Sequence, residues 1–243
     1  PVSAAMRSVA RTPAAVLAVV VFVAACDDGA GPLVERPNPL AGTALYVPHP
    51  SPASEQVEAW RDTRPADAAA IERIAREPVA VWLVDGDPAP EIEAALTGAV
   101  ATGTVPVFVA YYIPRRDCGE AGAPTESAYA AWIRAVGGAI EGAGAVVVIE
   151  PDALGHLDCG GVDGAARLRS LRDAVLVLEA AGAVTYLDAG HARWLTVGEA
   201  AARLESAGVA DADGFSLNVA NFIGTAESVD YGQLVAARLG RTG

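Results

Sequence analysis

Acidic residues follow two of the apolar, β-branched runs of the sequence, at the point where each run ends. Glu150 and Asp152 come directly after the run at 146–149, and Asp117 follows a run that ends near Tyr112. Two carboxyl groups held close together raise each other's pKa, because ionising both in one site is unfavourable, and one of them can stay protonated near neutral pH. Such a pair in a cleft can cleave a glycosidic bond. Acids at strand ends also cap helices, so spacing alone leaves both interpretations open.

The segments that carry these acids alternate between strand-like and helix-like patterns. Short β-branched or aromatic runs predict strands at Ala44–Val47, Val79–Val84, Val105–Tyr112, Ala145–Glu150, Val184–Asp188 and Phe215–Val219. Helical patterns are predicted at Ser54–Arg64, Ala66–Glu77, Pro90–Ala101, Glu126–Ala143, Gly164–Ala181, Thr196–Ala207 and Val229–Leu239. Apolar strands separated by helices indicate parallel strands joined by right-handed crossovers, so the predicted fold class is α/β.

Closed barrels and open doubly wound sheets share this alternation, and the positions of the polar residues decide between them. A barrel draws its site from the ends of many strands, whereas an open sheet concentrates the site at one switch point. Polar or aromatic side chains follow nearly every predicted strand, namely Trp82, Asp85, Tyr111 to Asp117, Glu150, Asp152, Asp188, His191, Asn218 and Asn221. This distribution favours a barrel. The chain also has no Gly-x-Gly-x-x-Gly motif after a strand, which argues against dinucleotide binding.

The N-terminal segment has the pattern of an export signal. Arg7 and Arg11 precede an apolar run of about 13 residues, which is short for a membrane-spanning helix and typical of a secretory signal. Small residues before Cys26 resemble a lipobox, so residues 1–26 are predicted to be a lipoprotein-type signal with lipidation at Cys26. An ordinary signal peptide or an uncleaved anchor is the alternative. Residues 27–41 are rich in Gly, Pro and Asn and indicate a linker.

Export has a consequence for the two other cysteines, Cys118 and Cys159. In an oxidising compartment a disulfide between them is the default expectation, and two buried thiols are the alternative. The protein is therefore expected at the cell surface or outside the cell.

The charge of the chain excludes several classes of partner and chemistry. There are 30 acidic and 17 basic residues, for a net charge of −13. Nucleic acid and anionic lipid surfaces would repel such a chain, so membrane contact is expected only through the N-terminal anchor. Every basic residue is Arg. The absence of Lys excludes Schiff-base and P-loop chemistry.

Four longer motifs lie along the chain. They are Tyr-x-x-Pro-x-Arg-Asp-Cys-Gly at 111–119, Val-Ile-Glu-Pro-Asp-Ala-Leu at 148–154, Leu-Asp-Ala-Gly-His-Ala-Arg-Trp at 187–194 and Phe-Ser-Leu-Asn-Val-Ala-Asn-Phe at 215–222. In this order they resemble the signatures of glycoside hydrolase family 6, the inverting cellulases. The resemblance implies a distorted parallel β/α barrel of the TIM type over residues 42–243. It also implies a monomer without a cofactor that hydrolyses β-1,4-glucan across the carboxyl ends of its strands.

The resemblance also assigns roles to single residues. Asp152 corresponds to the proton donor to the leaving oxygen, and Asp117 to the neighbour that raises the pKa of the donor and helps to order the catalytic water. Tyr111 corresponds to the ring that crowds the sugar at the cleavage subsite. Further residues correspond to groups that stack on or hydrogen-bond the substrate or brace the acid: Trp82, Trp194, Asp188, His191, Asn218 and Asn221.

Some of these residues have a purely structural alternative. Trp82 and Trp194 could be core residues, and His191 could be a helix cap. Asp188 and His191 have the spacing of two metal ligands, but two ligands without a third are too few, so no metal is expected.

The sequence departs from the family pattern at two places. The loop Gly119–Thr125 is short, and Tyr112 stands where Asn is usual, which favours an open cleft and an endo-1,4-β-glucanase over a cellobiohydrolase. After Asn221 the family would continue with more strands, a second cysteine pair and the acidic loop that holds the usual candidate for the base. The chain is therefore expected to be an incomplete barrel of six strands with an aggregation-prone open edge. The alternatives are a non-catalytic carbohydrate- or solute-binding surface lipoprotein, or an inactive truncated relative.

Overall fold

Five short strands form one parallel sheet whose spatial order follows the chain. The computed structural model describes residues 38–84 and 86–240; the predicted signal with Cys26, most of the linker and Asp85 lie outside the described residues. The strands are β1 Val81–Leu83, β2 Val107–Ala110, β3 Val146–Ile149, β4 Val184–Asp188 and β5 Gly214–Ser216, in the order β1-β2-β3-β4-β5. Because this order never reverses, the sheet has no switch point, which is the arrangement of barrel strands rather than of a doubly wound sheet.

Seven α-helices accompany the strands within residues 38–84 and 86–240. They are α1 Pro52–Trp60, α2 Pro65–Ala75, α3 Ala89–Thr102, α4 Glu126–Ile140, α5 Gly164–Ala180, α6 Val197–Ser206 and α7 Thr225–Arg238. From α3 onward each helix packs against the next one in the chain, as expected when every crossover has the same hand. Among the described residues, no helix combines the length and the apolar character needed to cross a membrane.

Local sequence signals explain where several helices begin and end. Thr125 and Thr196 precede α4 and α6, and their hydroxyls accept hydrogen bonds from the backbone N–H of Ala128 and Glu199. Gly103 ends α3 with a φ of 64°, a left-handed conformation that a residue with a Cβ rarely adopts. These caps fix the lengths of the helices, and with them the positions of the loops that follow the strands.

The core lies between the sheet and the helices. All four residues of β3 are buried, as are Phe108 on β2 and Leu187 on β4. On the helix side, Ile133 and Val136 of α4 are buried in the same cluster. A sheet that is covered in this way presents its polar groups mainly at the strand ends, where the loops carry the acids.

The first predicted strand, at Ala44–Val47, is wrong as a strand of this sheet. Leu45 forms only an isolated parallel bridge with Val105, supported by the backbone N–H of Tyr46 donating to the carbonyl of Val105 at 2.9 Å. Pro48 and Pro50 follow and cannot donate backbone hydrogen bonds, so the pairing cannot extend. The six expected strands are therefore five in the described part of the chain.

Candidate active site

Asp152 lies at the point where the loops after β3, β4 and β5 meet. Its backbone N–H donates to Asp188 Oδ1 at 2.9 Å, and the side-chain amide of Asn221 donates to Asp152 Oδ1 at 3.3 Å. The side chain is half-buried. The acid is thus held from below by β4 and from the side by the loop after β5, while its carboxyl group still reaches the surface.

The surroundings of Asp152 favour its protonated form. Burial is the largest cause that raises the pKa of this carboxyl, and the negative charge of Asp117 raises it further. His156, His191 and the Asn221 amide oppose the shift without cancelling it. A carboxyl group whose pKa is raised binds its proton more tightly, and such a group can act as a general acid.

Asp117 lies on the loop after β2 and is exposed. The Tyr111 hydroxyl donates a hydrogen bond to Asp117 Oδ1, and Arg116 Nε lies 3.7 Å from Asp117 Oδ2. The guanidinium of Arg116 also stacks over the Tyr111 ring at 4.6 Å and donates to the carbonyl of Val84 at 3.1 Å. Burial and Asp117 together raise the pKa of Tyr111, so the phenol remains a hydrogen-bond donor to the acid.

Two of the predicted site residues are tryptophans that are not fully buried. Trp82 is 36% exposed and meets Tyr111 edge to face, with ring centroids 5.3 Å apart. Trp194 is half-buried against the core cluster, with ring centroids 4.8 Å from His156 and 5.6 Å from His191. The exposure of Trp82 argues against the core alternative for this residue.

Asp188 lies beneath the acid rather than at the surface. It is 1% exposed, its Oδ1 accepts hydrogen bonds from the backbone N–H of Asp152 and Gly190, and Ser216 Oγ lies 3.5 Å from its Oδ2. Burial raises the pKa of Asp188 to about 7, and the nearby Asp152 adds to this rise. Asp188 therefore contacts the backbone of Asp152 from below, at a depth where its side chain has almost no exposed surface.

The other two expected binding residues are used largely within their own loops. The Asn218 side chain donates to the carbonyl of Ile223 and accepts from the Ile223 N–H, both at 2.9 Å. His191 Nδ1 accepts from the Arg193 N–H at 3.2 Å, which caps a turn rather than a helix. Asn218 therefore closes the loop that carries Asn221, and does not reach the acids itself in any recorded contact.

The predicted disulfide between Cys118 and Cys159 is present. It joins the loop after β2 to the residue that directly follows the short 3-10 helix Gly155–Asp158, across a sequence separation of 41 residues. His156 brings a third possible metal ligand to within 4.8 Å of the two sulfurs. Since the sulfurs are bonded to each other, this group has no free thiolate to offer a metal.

Backbone conformations at the site are unusual. In the described residues every non-glycine position with a positive φ lies in a strand-end loop: Arg115, Asp117, Cys118, Glu150, Asp152 and Asn218. Such conformations cost about 1–3 kcal/mol each and persist only when the surrounding contacts hold them. Both acids are therefore in strained backbone that the rest of the fold must support.

Two buried charged residues lie under this site, Glu150 and Arg167; sequence reasoning named Glu150 only as a strand-end acid and did not single out Arg167. Glu150 is fully buried and accepts hydrogen bonds from the backbone N–H groups of Tyr112 and Ile113. Arg167 is 4% exposed and donates to the carbonyls of Pro114 and Arg115. A signal for Arg167 was present, because it shares the apolar face of α5 with Leu171 and Ala174 at helical spacing.

A cavity of about 490 Å³ lies elsewhere, between α4 and α5. Its lining includes Tyr129, Arg134 and Asp173 and none of the residues named for the acid site. This cavity is therefore separate from the candidate acid site at the strand ends.

Comparisons with known proteins agree with this geometry. The family described as glycosyl hydrolases family 6 matches residues 40–236. Endoglucanase A of Cellulomonas fimi is 41% identical over 211 residues, which cover 84% of this chain and 45% of the relative. Endoglucanase A of Thermobispora bispora is 33% identical over 245 residues, covering 96% and 52%. The chain spans about half the length of these two curated relatives.

A solved structure gives the same result for the fold. The endoglucanase Cel6 from Mycobacterium tuberculosis, in complex with methyl-cellobiosyl-4-deoxy-4-thio-β-D-cellobioside, superposes with a TM-score of 0.78 at 37% identity. The match covers 85% of this chain and 72% of that structure. Sequence motifs, strand order and the family match over 40–236 therefore converge, and the chain belongs to glycosyl hydrolase family 6.

Proposed function

We propose that this protein hydrolyses β-1,4-glucosidic bonds in cellulose or related β-glucans with inversion at the anomeric carbon. The observation that carries the proposal is the half-buried Asp152, whose pKa is raised by burial and by Asp117. Asp152 donates its proton to the leaving glucosyl oxygen as the glycosidic bond breaks. Asp117 supplies a charge that raises the pKa of the donor and helps to order the attacking water, which bonds to the anomeric carbon and releases its proton through neighbouring water to the solvent.

The aromatic residues around the acids support a sugar substrate. Trp82 and Trp194 offer ring surfaces on which the apolar faces of glucosyl units can stack, and Tyr111 crowds the sugar at the cleavage position. Asn221 and His191 lie close enough to Asp152 to lower its pKa, so a sugar bound at the acid lies beside them. We assign this catalytic and sugar-binding site to a catalytic domain at residues 42–243.

An endo mode of attack fits the short loop after Asp117. That loop folds back on itself, with the Arg116 N–H donating to the Ala121 carbonyl at 3.0 Å and the Ala123 N–H donating to the Tyr112 carbonyl at 2.8 Å. A loop held by these hydrogen bonds does not cover the cleft. The middle of a glucan chain can therefore bind without one end being threaded through a tunnel. The relatives named above are endoglucanases, which agrees with this mode.

Release of reducing sugar from a soluble β-glucan tests the proposal. The parent protein should generate reducing ends with a rapid fall in viscosity, and proton NMR should show the inverted anomer first. Asp152→Asn removes the proton while keeping the size of the side chain, and it should lower kcat by about 10²- to 10⁴-fold. Binding of cello-oligosaccharides without any release by the parent would favour the non-catalytic binding protein instead.

Export to the cell surface is part of the same proposal. A disulfide is stable in an oxidising compartment, so the Cys118–Cys159 bond supports a location outside the cytoplasm. We infer lipid attachment at Cys26 and a monomeric state. Incorporation of labelled fatty acid into the parent and not into Cys26→Ala, together with the mass in solution after detergent extraction, would test both.

A further inference from the structure

The loop between Tyr111 and Asp117 is held by its backbone at four consecutive residues. Both oxygens of Glu150 accept from the Tyr112 N–H, at 3.0 and 3.1 Å, and Oε2 also accepts from the Ile113 N–H at 3.0 Å. Arg167 donates from its NH2 to the carbonyls of Pro114 at 2.7 Å and Arg115 at 3.0 Å. The N–H groups of Tyr112 and Ile113 thus share one acceptor, the Glu150 carboxyl. The carbonyls of Pro114 and Arg115 share one donor, the Arg167 guanidinium.

The two side chains come from different elements and reach adjacent parts of the loop. Glu150 directly follows β3, and Arg167 lies in the first turn of α5. The carboxyl of Glu150 interacts electrostatically with Arg167. The hydroxyl of Tyr129 on α4 lies near enough to Glu150 to affect its pKa, although it makes no hydrogen bond of ordinary geometry. Because both side chains are buried, their hydrogen bonds to the loop backbone are strong and an unpaired partner would be costly.

The loop held by Glu150 and Arg167 contains backbone conformations that require support from the surrounding contacts. Arg115, Asp117 and Cys118 all have positive φ. Tyr111 and Asp117 are hydrogen-bonded to each other, and both interact electrostatically with Asp152. The held segment begins directly after Tyr111 and ends two residues before Asp117. A displacement of these four residues therefore moves both members of the Tyr111–Asp117 pair relative to Asp152.

Resting on the proposed function, we propose that Glu150 and Arg167 form a loop clamp: they are positioning residues that set Tyr111 and Asp117 relative to Asp152. Neither side chain touches substrate in this assignment. The clamp fixes the backbone of residues 112–115. The side chains of Tyr111 and Asp117, which flank this segment, are thereby fixed as well.

Glu150→Gln tests the clamp with little change in volume. The amide can present only one oxygen, and its NH2 group then faces a backbone N–H, so the Tyr112 and Ile113 amides lose part of their acceptor. A misplacement of about 1 Å costs about 10²-fold in rate. We expect kcat on a cello-oligosaccharide to fall by about that factor with KM unchanged, and hydrogen exchange at residues 112–118 to accelerate.

Asp213→Asn is the matched control. Asp213 Oδ2 accepts from the Thr185 N–H at 3.0 Å, so it also joins two neighbouring strands through a carboxyl and a backbone amide, but before β5 rather than after it. This variant should lower the melting temperature and leave kcat and exchange at 112–118 as in the parent. Equal melting losses in both variants with kcat and exchange unchanged in Glu150→Gln would overturn the proposal.

A second variant covers the case in which Glu150→Gln does not fold. Arg167→Lys keeps the charge but loses the planar fork that reaches two carbonyls, so kcat should fall and exchange at 112–118 should accelerate. Unchanged exchange in this variant overturns the clamp. The exchange measurement needs no activity, so a parent that cleaves no glucan would refute the proposed function while the clamp is still decided by exchange.

Discussion

Asp117 contributes to the site as a fixed negative charge near a second carboxyl group. Its position is set by the Tyr111 hydroxyl and by Arg116, and it is one of two causes that raise the pKa of Asp152. Burial is the larger cause. The charge of Asp117 therefore extends the pH range in which Asp152 is protonated to higher pH, as a smaller contribution than burial.

Asp117→Asn removes this charge and should shift the alkaline limb of the kcat/KM profile. Without the neighbouring anion Asp152 ionises more easily, so its pKa falls and the proton donor is lost at lower pH. We expect the limb to move to lower pH without losing the whole upward shift, because burial of Asp152 remains. A pH–rate profile measures it, and Glu120→Gln, an exposed acid on the same loop, is the control. An alkaline limb that moves to higher pH would contradict the assignment.

The motifs predicted which residues lie near one another at the site, but not whether each side chain is buried or exposed. The acids Asp117 and Asp152, the ring of Tyr111 and the cysteine pair lie together as the motifs suggest. Asp188, by contrast, is buried and bonded to backbone amides. Side chains alternate between the two faces of a sheet only as far as the last residue of the strand. Beyond it, the sequence pattern does not indicate whether a side chain points toward the surface or into the protein.

At the scale of elements, the ends of helices and strands were predicted about equally well, but they depend on different signals. A helix end is a local event, fixed by a cap such as Thr196 or a left-handed Gly103. A strand end depends on its neighbour: the predicted strand Phe215–Val219 stops at Ser216, before Asn218 adopts a φ of 62° and its side chain closes the following loop. Pairing partners and left-handed residues of this kind carry no short-range signal.

The 3-10 helix after β3 supports Trp194, and Gly155 should show this. A Cβ at Gly155 would lie 2.6 Å from Cε2 of the Trp194 ring, closer than any real contact. Gly155→Ala must therefore displace the ring or the helix, at a cost of about 1–3 kcal/mol. We expect a change in tryptophan fluorescence and a raised KM for cello-oligosaccharides.

Gly160→Ala is the matched control in the same segment. Its Cβ would meet nothing within 4 Å, and its φ is not left-handed. It should leave both the fluorescence and KM as in the parent. If Gly155→Ala also left them unchanged, Trp194 would not be held in the way described here.

For the whole molecule, two buried carboxyl groups make stability depend on pH in an unusual direction. Burial raises the pKa of Glu150 and of Asp188 to about 7, from ordinary values of 4.5 and 3.8. The folded protein binds these protons more tightly than the unfolded chain does. Their stabilising effect is therefore present below about pH 4 and is lost as the pH rises through 7.

Calorimetry between pH 5 and pH 8 should therefore show a melting temperature that falls as pH rises. For a chain of this size each kcal/mol lost corresponds to about 2–4 °C. The double variant Glu150→Gln and Asp188→Asn should flatten the dependence, since both titrating groups are gone. A melting temperature that rises over this interval would show that neither carboxyl is protonated in the folded protein.

The disulfide adds a second contribution to global stability. Closing a loop of 41 residues should stabilise the fold by about 4 kcal/mol through the entropy of the unfolded chain. The paired variant Cys118→Ser and Cys159→Ser should lower the free energy of unfolding in urea by about that amount. The parent treated with a reductant should show the same loss, which separates the bond from the substitutions.

The strand order of the sheet also has a consequence for synthesis on the ribosome. Each strand pairs with the strand made just before it, so its partner is already in place when it emerges. Assembly can then proceed unit by unit in the direction of translation, without waiting for a distant partner. Nascent chains stalled after successive helices should gain protease-resistant fragments in the same succession, whereas resistance that arises only at full length would show that the units fold together.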